Sequence, residues 1–241
     1  MNKLILLIAS LILLFKISLE IPDSFTWVDK IKIREPGQCG SNWSFSTVAL
    51  LEAYYQKQKG VYVRLSEQML LDCVTTNDGC KSGTIENALR WIKENGIMKE
   101  DDYPYRGLVS ACKADPSKYI DMKVTGYRRL GNGYTKDSPA DEEEMKSILY
   151  SKGPINVGLN VTPLQTYTSG IIDYSSTLCP PTHINQRLFL VGYGRINGID
   201  YWNIKNSWGR AWGERGYFRL RLGRGVCGVN YYAVVADVVF G

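Results

Sequence analysis

Six cysteines constrain the fold of this chain more tightly than any other feature of its sequence. In a chain that enters an oxidising compartment, an even number of cysteines predicts disulfide bonds, and six cysteines form three of them. Sequence spacing alone leaves fifteen pairings open. Whether these residues pair depends on the compartment that the N-terminus specifies. The cysteines are Cys39, Cys73, Cys80, Cys112, Cys179 and Cys227.

The N-terminus indicates a secretory route. Asn2 and Lys3 precede a run of apolar and small residues from Leu4 to Phe15, which ends at Lys16. Such a run suits the apolar region of a signal peptide and is too short to span a bilayer. We predict a signal peptide over residues 1–20, cleaved near 18–20, and a secreted protein with no membrane association after cleavage. A lysosomal or other endomembrane lumen is the alternative location, and a membrane anchor or buried helix is the competing interpretation of the run.

Composition narrows the classes of function. The chain has 241 residues, of which 44% are apolar and 22% charged, which suits one large domain or two small lobes and excludes disorder. The formal net charge is +5, but the basic residues are scattered, so we predict no nucleic-acid partner. With a single histidine and no metal-site spacing, we expect neither a metal nor a cofactor.

Residue periodicity predicts an α+β chain. Turn-spaced apolar residues predict a helix over 43–58 that ends at Gly60, and further helices over 84–95 and 140–152. Ser66 is the predicted N-cap of a helix that leads into Cys73. Beyond Gly153 the predicted elements are strands at 154–159, 187–193, 200–205 and 217–222. Their regular spacing, with glycine turns, suggests a partly closed antiparallel barrel.

Several motifs match one protein family in order. The stretch Gln38–Ser46, with the two residues before it, resembles Q-G-x-C-G-S-C-W-A-F-S; Leu65–Cys73 resembles L-S-E-Q-x-L-x-D-C; and Lys205–Gly209 reads K-N-S-W-G. The chain therefore resembles the papain family of cysteine proteases, of the cathepsin L-like type. The resemblance implies a two-lobe fold, with a mainly helical lobe over about 21–130 and an antiparallel, barrel-like β lobe over about 131–241. It also implies the disulfides Cys39–Cys80, Cys73–Cys112 and Cys179–Cys227.

Three positions depart from the catalytic pattern of that family. Asn42 stands where the resemblance places the nucleophilic cysteine, Gln186 where it places the catalytic histidine, and Pro36 where it places the oxyanion-hole glutamine. Asn206 matches the residue that orients the histidine, and Trp208 matches the aromatic that shields it. The resemblance therefore implies a protease cleft without the groups that attack the substrate, transfer protons and hold the oxyanion.

Other residues could in principle take over these roles. Ser41 and Ser44 flank Asn42, but a shift of one helical residue turns a side chain by about 100°. Recruitment of Cys39 would leave its disulfide partner unpaired. His183 lies three residues before the expected histidine position, and an odd offset faces the opposite side of a strand. Asn42 itself could act by cyclisation of its side chain.

Alignment with the family places seven residues in the substrate cleft. Arg187 stands where the family has a small residue, so we expect a narrowed pocket, poor binding of apolar side chains and a preference for acidic ones. A solvated charge at the start of a strand is the alternative interpretation. The seven residues are Gly83, Thr84, Ile85, Gly158, Ile184, Arg187 and Tyr232.

Two segments fit the N-glycosylation pattern. Asn160-Val161-Thr162 predicts a glycan at Asn160 on the surface of a lobe. Asn42-Trp43-Ser44 also fits, but it begins a helix that the family buries at its cleft, so we expect no glycan there.

The sequence predicts a secreted, monomeric, catalytically inactive homologue of a cysteine protease that acts by binding. The expected partner is a protein: a protease inhibitor, a host or immune protein, or a peptide in the cleft. Ile21 begins a stretch that resembles the start of a mature papain-type domain, so no pro-segment is evident; an incomplete gene model is the alternative. Competing hypotheses are a papain-family endopeptidase with a rearranged active site and a structural or storage protein.

Overall fold

The computed structural model describes residues 20–241 except 33, 35 and 132–138. The predicted signal peptide therefore lies outside the described residues, apart from Glu20. Within the described part of the chain, no helix is both long and apolar enough to cross a bilayer.

Four α-helices form in the described residues, and local sequence sets their ends. Helix α1 ends at Gly60, which adopts a left-handed conformation with φ of 73°. Helix α2 begins after Ser66, whose Oγ accepts a hydrogen bond from the Met69 N–H, as predicted. Thr84 and Asp141 cap the other two helices in the same way. The helices are α1 Asn42–Lys59, α2 Glu67–Cys73, α3 Ile85–Asn95 and α4 Glu142–Ser151.

The strands form one sheet in the order β2-β8-β3-β5-β6-β7-β4, with the short strand β1 paired to β5. All pairs are antiparallel, as predicted for the strand-rich lobe, except the two-residue strand β4, which pairs parallel with β7. The strands are β1 Phe25–Thr26, β2 Lys123–Arg129, β3 Ile155–Leu159, β4 Ile171–Ile172, β5 Gln186–Ile196, β6 Ile199–Lys205, β7 Tyr217–Arg221 and β8 Ala233–Val239.

Strand β2 departs from the expected division of the chain. It lies before residue 130, in the part predicted to be mainly helical, yet it pairs antiparallel with β8 near the C-terminus. Residues 123–129 therefore belong to the sheet, because their backbone hydrogen-bonding groups are satisfied by a strand about a hundred residues away.

Helix α1 lies at the centre of the molecule. Leu50 and Leu51 are fully buried, and the helix contacts α2 and α3 on one side and strands β3, β5 and β8 on the other. Burial of apolar side chains on both sides stabilises the contact between the helices and the sheet. The N-terminal end of α1 is therefore placed where the helical and strand-rich parts of the chain meet.

The six cysteines form three disulfides, in the pairs that the resemblance implies. They are Cys39–Cys80, Cys73–Cys112 and Cys179–Cys227. The first two tie together the segments around α1 and α2, and the third holds the segment that leads into β5. Because the whole sequence contains six cysteines, none is left as a free thiol.

Candidate functional site

Asn42 is the first residue of α1 and is half-buried. The segment before it is held by the Cys39–Cys80 disulfide and by Tyr105, whose hydroxyl donates to the Pro36 carbonyl oxygen at 2.9 Å. On the other side, Trp43 Nε1 donates to the Gly79 carbonyl at 3.0 Å. These contacts fix the direction in which the helix begins, and with it the position of Asn42.

Gln186 is the first residue of β5 and lies beside Asn206, which directly follows β6. Its Nε2 donates to Asn206 Oδ1 at 3.2 Å and to Ser207 Oγ at 2.8 Å. Asn206 Oδ1 also accepts from the Ser207 backbone N–H at 2.8 Å. The antiparallel pairing of β5 and β6 brings the two segments to the same end of the sheet. The glutamine amide is therefore held in one orientation, facing the groove.

Asn42 and Gln186 line one groove, with a volume of about 240 Å³. Among the described residues that line it, no side chain carries a charge or titrates near neutral pH, because the one cysteine there is in a disulfide. These residues can offer amide and hydroxyl hydrogen bonds and an aromatic face, but they include no acid, base or thiolate. The lining residues are Pro36, Gly37, Gln38, Cys39, Gly40, Asn42, Gln186, Ser207 and Trp208.

The two residues that match the family's retained positions have structural contacts. Trp208 is half-buried, and its ring meets Trp212 edge to face with centroids 5.0 Å apart. Asn206 is 1% exposed, and its Oδ1 accepts the two bonds given above. Its Nδ2 has no hydrogen-bond partner among the described residues. Asn206 therefore positions Gln186 and Ser207 through its oxygen alone.

The alternative nucleophiles and the histidine lie elsewhere. Ser44 is fully buried and donates its hydroxyl to the Ser41 carbonyl oxygen at 3.0 Å. Ser41 is also fully buried, and its Oγ is 3.2 Å from the Tyr105 hydroxyl. His183 is exposed in the turn after Cys179, where its backbone N–H donates to the Pro180 carbonyl. None of these three side chains is part of the lining of the groove.

Four of the seven predicted cleft residues pack together. Arg187 lies with its guanidinium carbon 3.6 Å from the centre of the Tyr232 ring. A Cβ added to Gly158 would lie 2.5 Å from Arg187 Nη1 and 2.8 Å from Ile184 Cγ2. These side chains therefore share one packed corner.

The other three predicted cleft residues lie at the start of α3. Gly83 packs against the Trp43 ring, Thr84 caps the helix, and Ile85 is buried. The next residue, Glu86, accepts a hydrogen bond from the Tyr232 hydroxyl. That bond joins the start of α3 to the corner formed by Arg187 and Tyr232.

A buried ion cluster beside the groove was missed from the sequence. Arg34 donates from Nε to Glu67 Oε1 at 2.7 Å and from Nη2 to Glu52 Oε1 at 3.0 Å, and both carboxylates are almost fully buried. Glu52 also accepts from the Leu65 N–H and the Tyr62 hydroxyl. A charged residue in the middle of the apolar helix α1 was the available signal, because a buried charge requires a partner. The cluster joins the segment before Asn42 to α1 and α2.

Burial is the largest influence on the pKa values of the two carboxyl groups in this cluster. It raises the pKa of Glu67 to about 7, since loss of hydration outweighs the attraction of Arg34. The pKa of Glu52 is raised for the same reason. A group whose pKa rises on folding contributes stability at low pH, and that contribution is lost as the pH rises through the folded value.

Glu67→Gln will therefore change how stability depends on pH. In the unaltered chain, Glu67 binds more protons when folded than when unfolded between pH 4.5 and about 7, so its contribution to the unfolding free energy falls over this interval. We expect the free energy of unfolding of the wild type minus that of the variant to fall by at least about 1 kcal/mol from pH 4.5 to 7. Urea unfolding at several pH values measures this difference. Glu94→Gln, at an exposed position, should leave the pH dependence unchanged; an equal effect there contradicts the assignment.

The structure corrects the predicted glycosylation site. Asn160 is 3% exposed, and its Nδ2, the atom that would carry a glycan, donates to the Pro180 carbonyl at 3.3 Å. The Thr162 hydroxyl of the same sequon accepts a hydrogen bond from Asn185. The loop before β5 therefore covers the amide that would carry the glycan.

Comparison with known proteins agrees with this arrangement. A family profile described as "Papain family cysteine protease" matches residues 21–236. The chain belongs to the papain family of cysteine proteases. Its relatives include a cathepsin L-like proteinase of Fasciola hepatica, 37% identical over 216 residues that cover 87% of this chain and 63% of the relative. A viral cathepsin of Spodoptera litura multicapsid nucleopolyhedrovirus is 39% identical over 220 residues, covering 89% of this chain and 62% of the relative. The chain thus spans less than two thirds of each relative.

Solved structures confirm the predicted fold class. Digestive procathepsin L 3 of the Tenebrio molitor larval midgut superimposes with a TM-score of 0.79 and 35% identity, over 90% of this chain and 70% of that one. Procathepsin L2 of the same tissue gives a TM-score of 0.80 and 33% identity, over 91% and 69%. The chain is an α+β, papain-like protein.

Proposed function

We propose that this papain-family protein has no peptidase activity and acts by binding a protein partner in the groove that contains Asn42 and Gln186. The observation that carries the proposal is the lining of that groove, in which no side chain of a described residue titrates near neutral pH. Papain-type cleavage requires a thiolate and an imidazole in contact, and the groove holds two neutral amides instead.

The chemistry at each position supports inactivity. The nitrogen of the Asn42 amide is a very weak nucleophile because its lone pair is delocalised, and Gln186 cannot exchange a proton near neutral pH. Pro36 has no side-chain donor, and its carbonyl already accepts the Tyr105 hydroxyl. In a well-studied triad, loss of the nucleophile or base costs on the order of 10⁶ in turnover, and loss of an oxyanion donor costs about 10²–10³.

Retention of the groove supports a binding role. Gln186 is held by Asn206 and Ser207, so the centre of the groove remains organised and polar. Amide donors and acceptors can pair with the backbone of an extended peptide, and Trp208 offers an aromatic face. The signal segment and the three disulfides support a secreted protein, and candidate partners are protease inhibitors, host or immune proteins and peptides.

Hydrolysis assays test the first half of the proposal. Purified protein should not cleave a panel of fluorogenic peptides between pH 4 and 8, at enzyme concentrations well above those at which an active cathepsin L cleaves them. Cleavage that tracks the purified chain and is blocked by a thiol-directed epoxide would overturn inactivity. Cleavage insensitive to that reagent would favour a rearranged active site.

Capture from extracellular fluid tests the binding half. Mass spectrometry of proteins retained by the immobilised chain should identify a partner with a dissociation constant at or below the micromolar range. We expect Asn42→Trp, which fills the groove, to abolish retention. Lys93→Trp, on the exposed face of α3, should retain the partner. Equal retention by both variants would place the interaction outside the groove.

A further inference from the structure

Arg187 is a half-buried cation next to the candidate site. It directly follows Gln186 on β5, and its guanidinium lies over the Tyr232 ring at 3.6 Å from the ring centre. Tyr232 is itself fixed, because its hydroxyl donates to Glu86, which also accepts from Arg129. Arg187 therefore stacks on a buried aromatic ring whose hydroxyl is held by a hydrogen bond.

The guanidinium of Arg187 has no carboxylate partner among the residues that the structure describes. Within the described residues it forms no hydrogen bond or ion pair, and its contact is the ring of Tyr232. Three other half-buried arginines, Arg34, Arg129 and Arg219, are each paired with a carboxylate of this chain. Glu86, the carboxylate bonded to Tyr232, is already engaged by Arg129. An arginine has five N–H donors, and those of Arg187 have no acceptor among the described residues.

The packing around Arg187 holds this side chain in place. Arg187 pairs across the sheet with Gly158, and its Nη1 lies where a side chain at that position would begin. Ile184 Cγ2 and Tyr232 Cβ border the same space, at 2.8 and 3.0 Å from an added Cβ. A side chain already held by a ring and two neighbours loses less conformational entropy when a ligand binds.

Arg187 is within reach of a chain that lies in the groove. Together with Asn42 and Ser207 it lines a small cavity of about 30 Å³, and those two residues also line the larger groove. Gln186 and Arg187 are consecutive in β5, so their side chains leave the strand towards different faces. The shared lining residues Asn42 and Ser207 are what bring the Arg187 cavity next to the groove.

We propose that Arg187 binds a carboxylate of the protein partner, presented by an Asp or Glu side chain or by a C-terminus. The proposal rests on the binding function proposed above and specifies its chemistry. A guanidinium matches a carboxylate with two parallel hydrogen bonds, and partial burial beside Tyr232 strengthens them. An apolar side chain of the partner, placed against Arg187, would exclude water from the guanidinium without accepting its hydrogen bonds, which is unfavourable. The net charge of +5 also favours the approach of acidic partners.

The test uses capped pentapeptides, N-acetylated and C-amidated, on an alanine background with one Glu, Gln or Leu at each position in turn. A separate arm carries a free C-terminus and no acidic residue. Chemical-shift titration of the isotope-labelled protein measures dissociation constants into the millimolar range. We expect the best peptide with a carboxylate to bind roughly tenfold more tightly than its uncharged match. Comparison of the capped peptides that contain Glu with the peptide that has a free C-terminus shows whether a side-chain or a C-terminal carboxylate is preferred.

Two substitutions locate the effect. Arg187→Gln should reduce the ratio between charged and uncharged peptides to about one, and Arg187→Lys should retain part of it. Arg195→Gln removes the same charge eight residues further along β5, about 26 Å away at the rise of a strand, and should leave the ratio unchanged. Thermal melting confirms that the variants are folded, and the Glu-to-Gln comparison on the wild-type protein needs no variant.

Three outcomes overturn this inference. They are equal binding of charged and uncharged peptides, a ratio that persists in Arg187→Gln, and no binding by any peptide with a carboxylate. None of these outcomes would overturn the proposed binding function, because the capture experiment tests that function without involving Arg187. Peptidase activity would instead overturn the proposed function itself, so the two failures are distinguishable.

Discussion

The triple variant Asn42→Cys, Gln186→His, Pro36→Gln is expected to cleave fluorogenic peptides at least ~10³-fold faster than the unaltered chain. Loss of a nucleophile or base costs on the order of 10⁶, so even imperfect geometry should recover part of that factor. Asn206 Oδ1 already accepts a hydrogen bond from the side chain at 186, and a thiol at the start of α1 would be favoured as a thiolate by the helix dipole. Continuous fluorescence assays on substrates with Leu and with Glu beside the cleavage site measure the gain.

Single variants provide the matched controls for this result. Asn42→Cys alone and Gln186→His alone should remain at background, because residues of a triad act as a unit and their effects are not additive. Mass spectrometry after alkylation should show one free thiol at position 42 and three intact disulfides in the triple variant. A folded triple variant with that thiol and no activity would mean that the chain lacks more than these three groups.

Arg34→Met is expected to lower the free energy of unfolding by about 3–5 kcal/mol. The substitution leaves Glu52 and Glu67 buried without their cation, and both carboxylates are almost fully inaccessible. Removing one partner of a buried pair is more costly than removing both, since each carboxyl left behind loses its hydrogen bonds to Arg34 and must either keep its charge in a medium of low polarity or bind a proton. Urea unfolding at pH 7 measures the difference.

Arg195→Met is the control for the cluster. Arg195 pairs with Asp200 and both side chains are well exposed, so its loss should cost less than about 1 kcal/mol. The double variant Arg34→Met, Glu67→Gln should recover part of the lost stability, because it replaces one of the two buried carboxyls by a neutral amide. A loss below 1 kcal/mol for Arg34→Met would show that the cluster contributes little to the folded state.

Local sequence rules predicted most of the helical elements correctly. Helix α1 was expected over 43–58 and spans Asn42–Lys59, because apolar spacing and a glycine stop are properties of neighbouring residues. The Ser66 cap and the strands at 187–193 and 200–205 have the same kind of local signal. The disulfide pairs came from the family resemblance, since spacing alone left fifteen pairings open.

Long-range features were the ones that sequence reasoning missed. Strand β2 pairs with β8 across about a hundred residues, and the parallel pairing of β4 with β7 joins two segments about 45 residues apart. The periodicity of apolar residues in a short stretch of sequence does not reveal such pairings, because the neighbouring strand is determined by the fold as a whole. The burial of Asn160 has the same cause, since the loop that covers it lies twenty residues away.

The sequence was sufficient for the class of protein and for the positions of the helices. These depend on residue identity and on spacing along the chain. The structure was needed to show that Gln186 is fixed by Asn206 and Ser207, that Arg34 is enclosed by two carboxylates, and that Arg187 lies on Tyr232 without a carboxylate partner among the described residues. Each of these depends on distances between residues far apart in sequence, which the packing of the helices against the sheet determines.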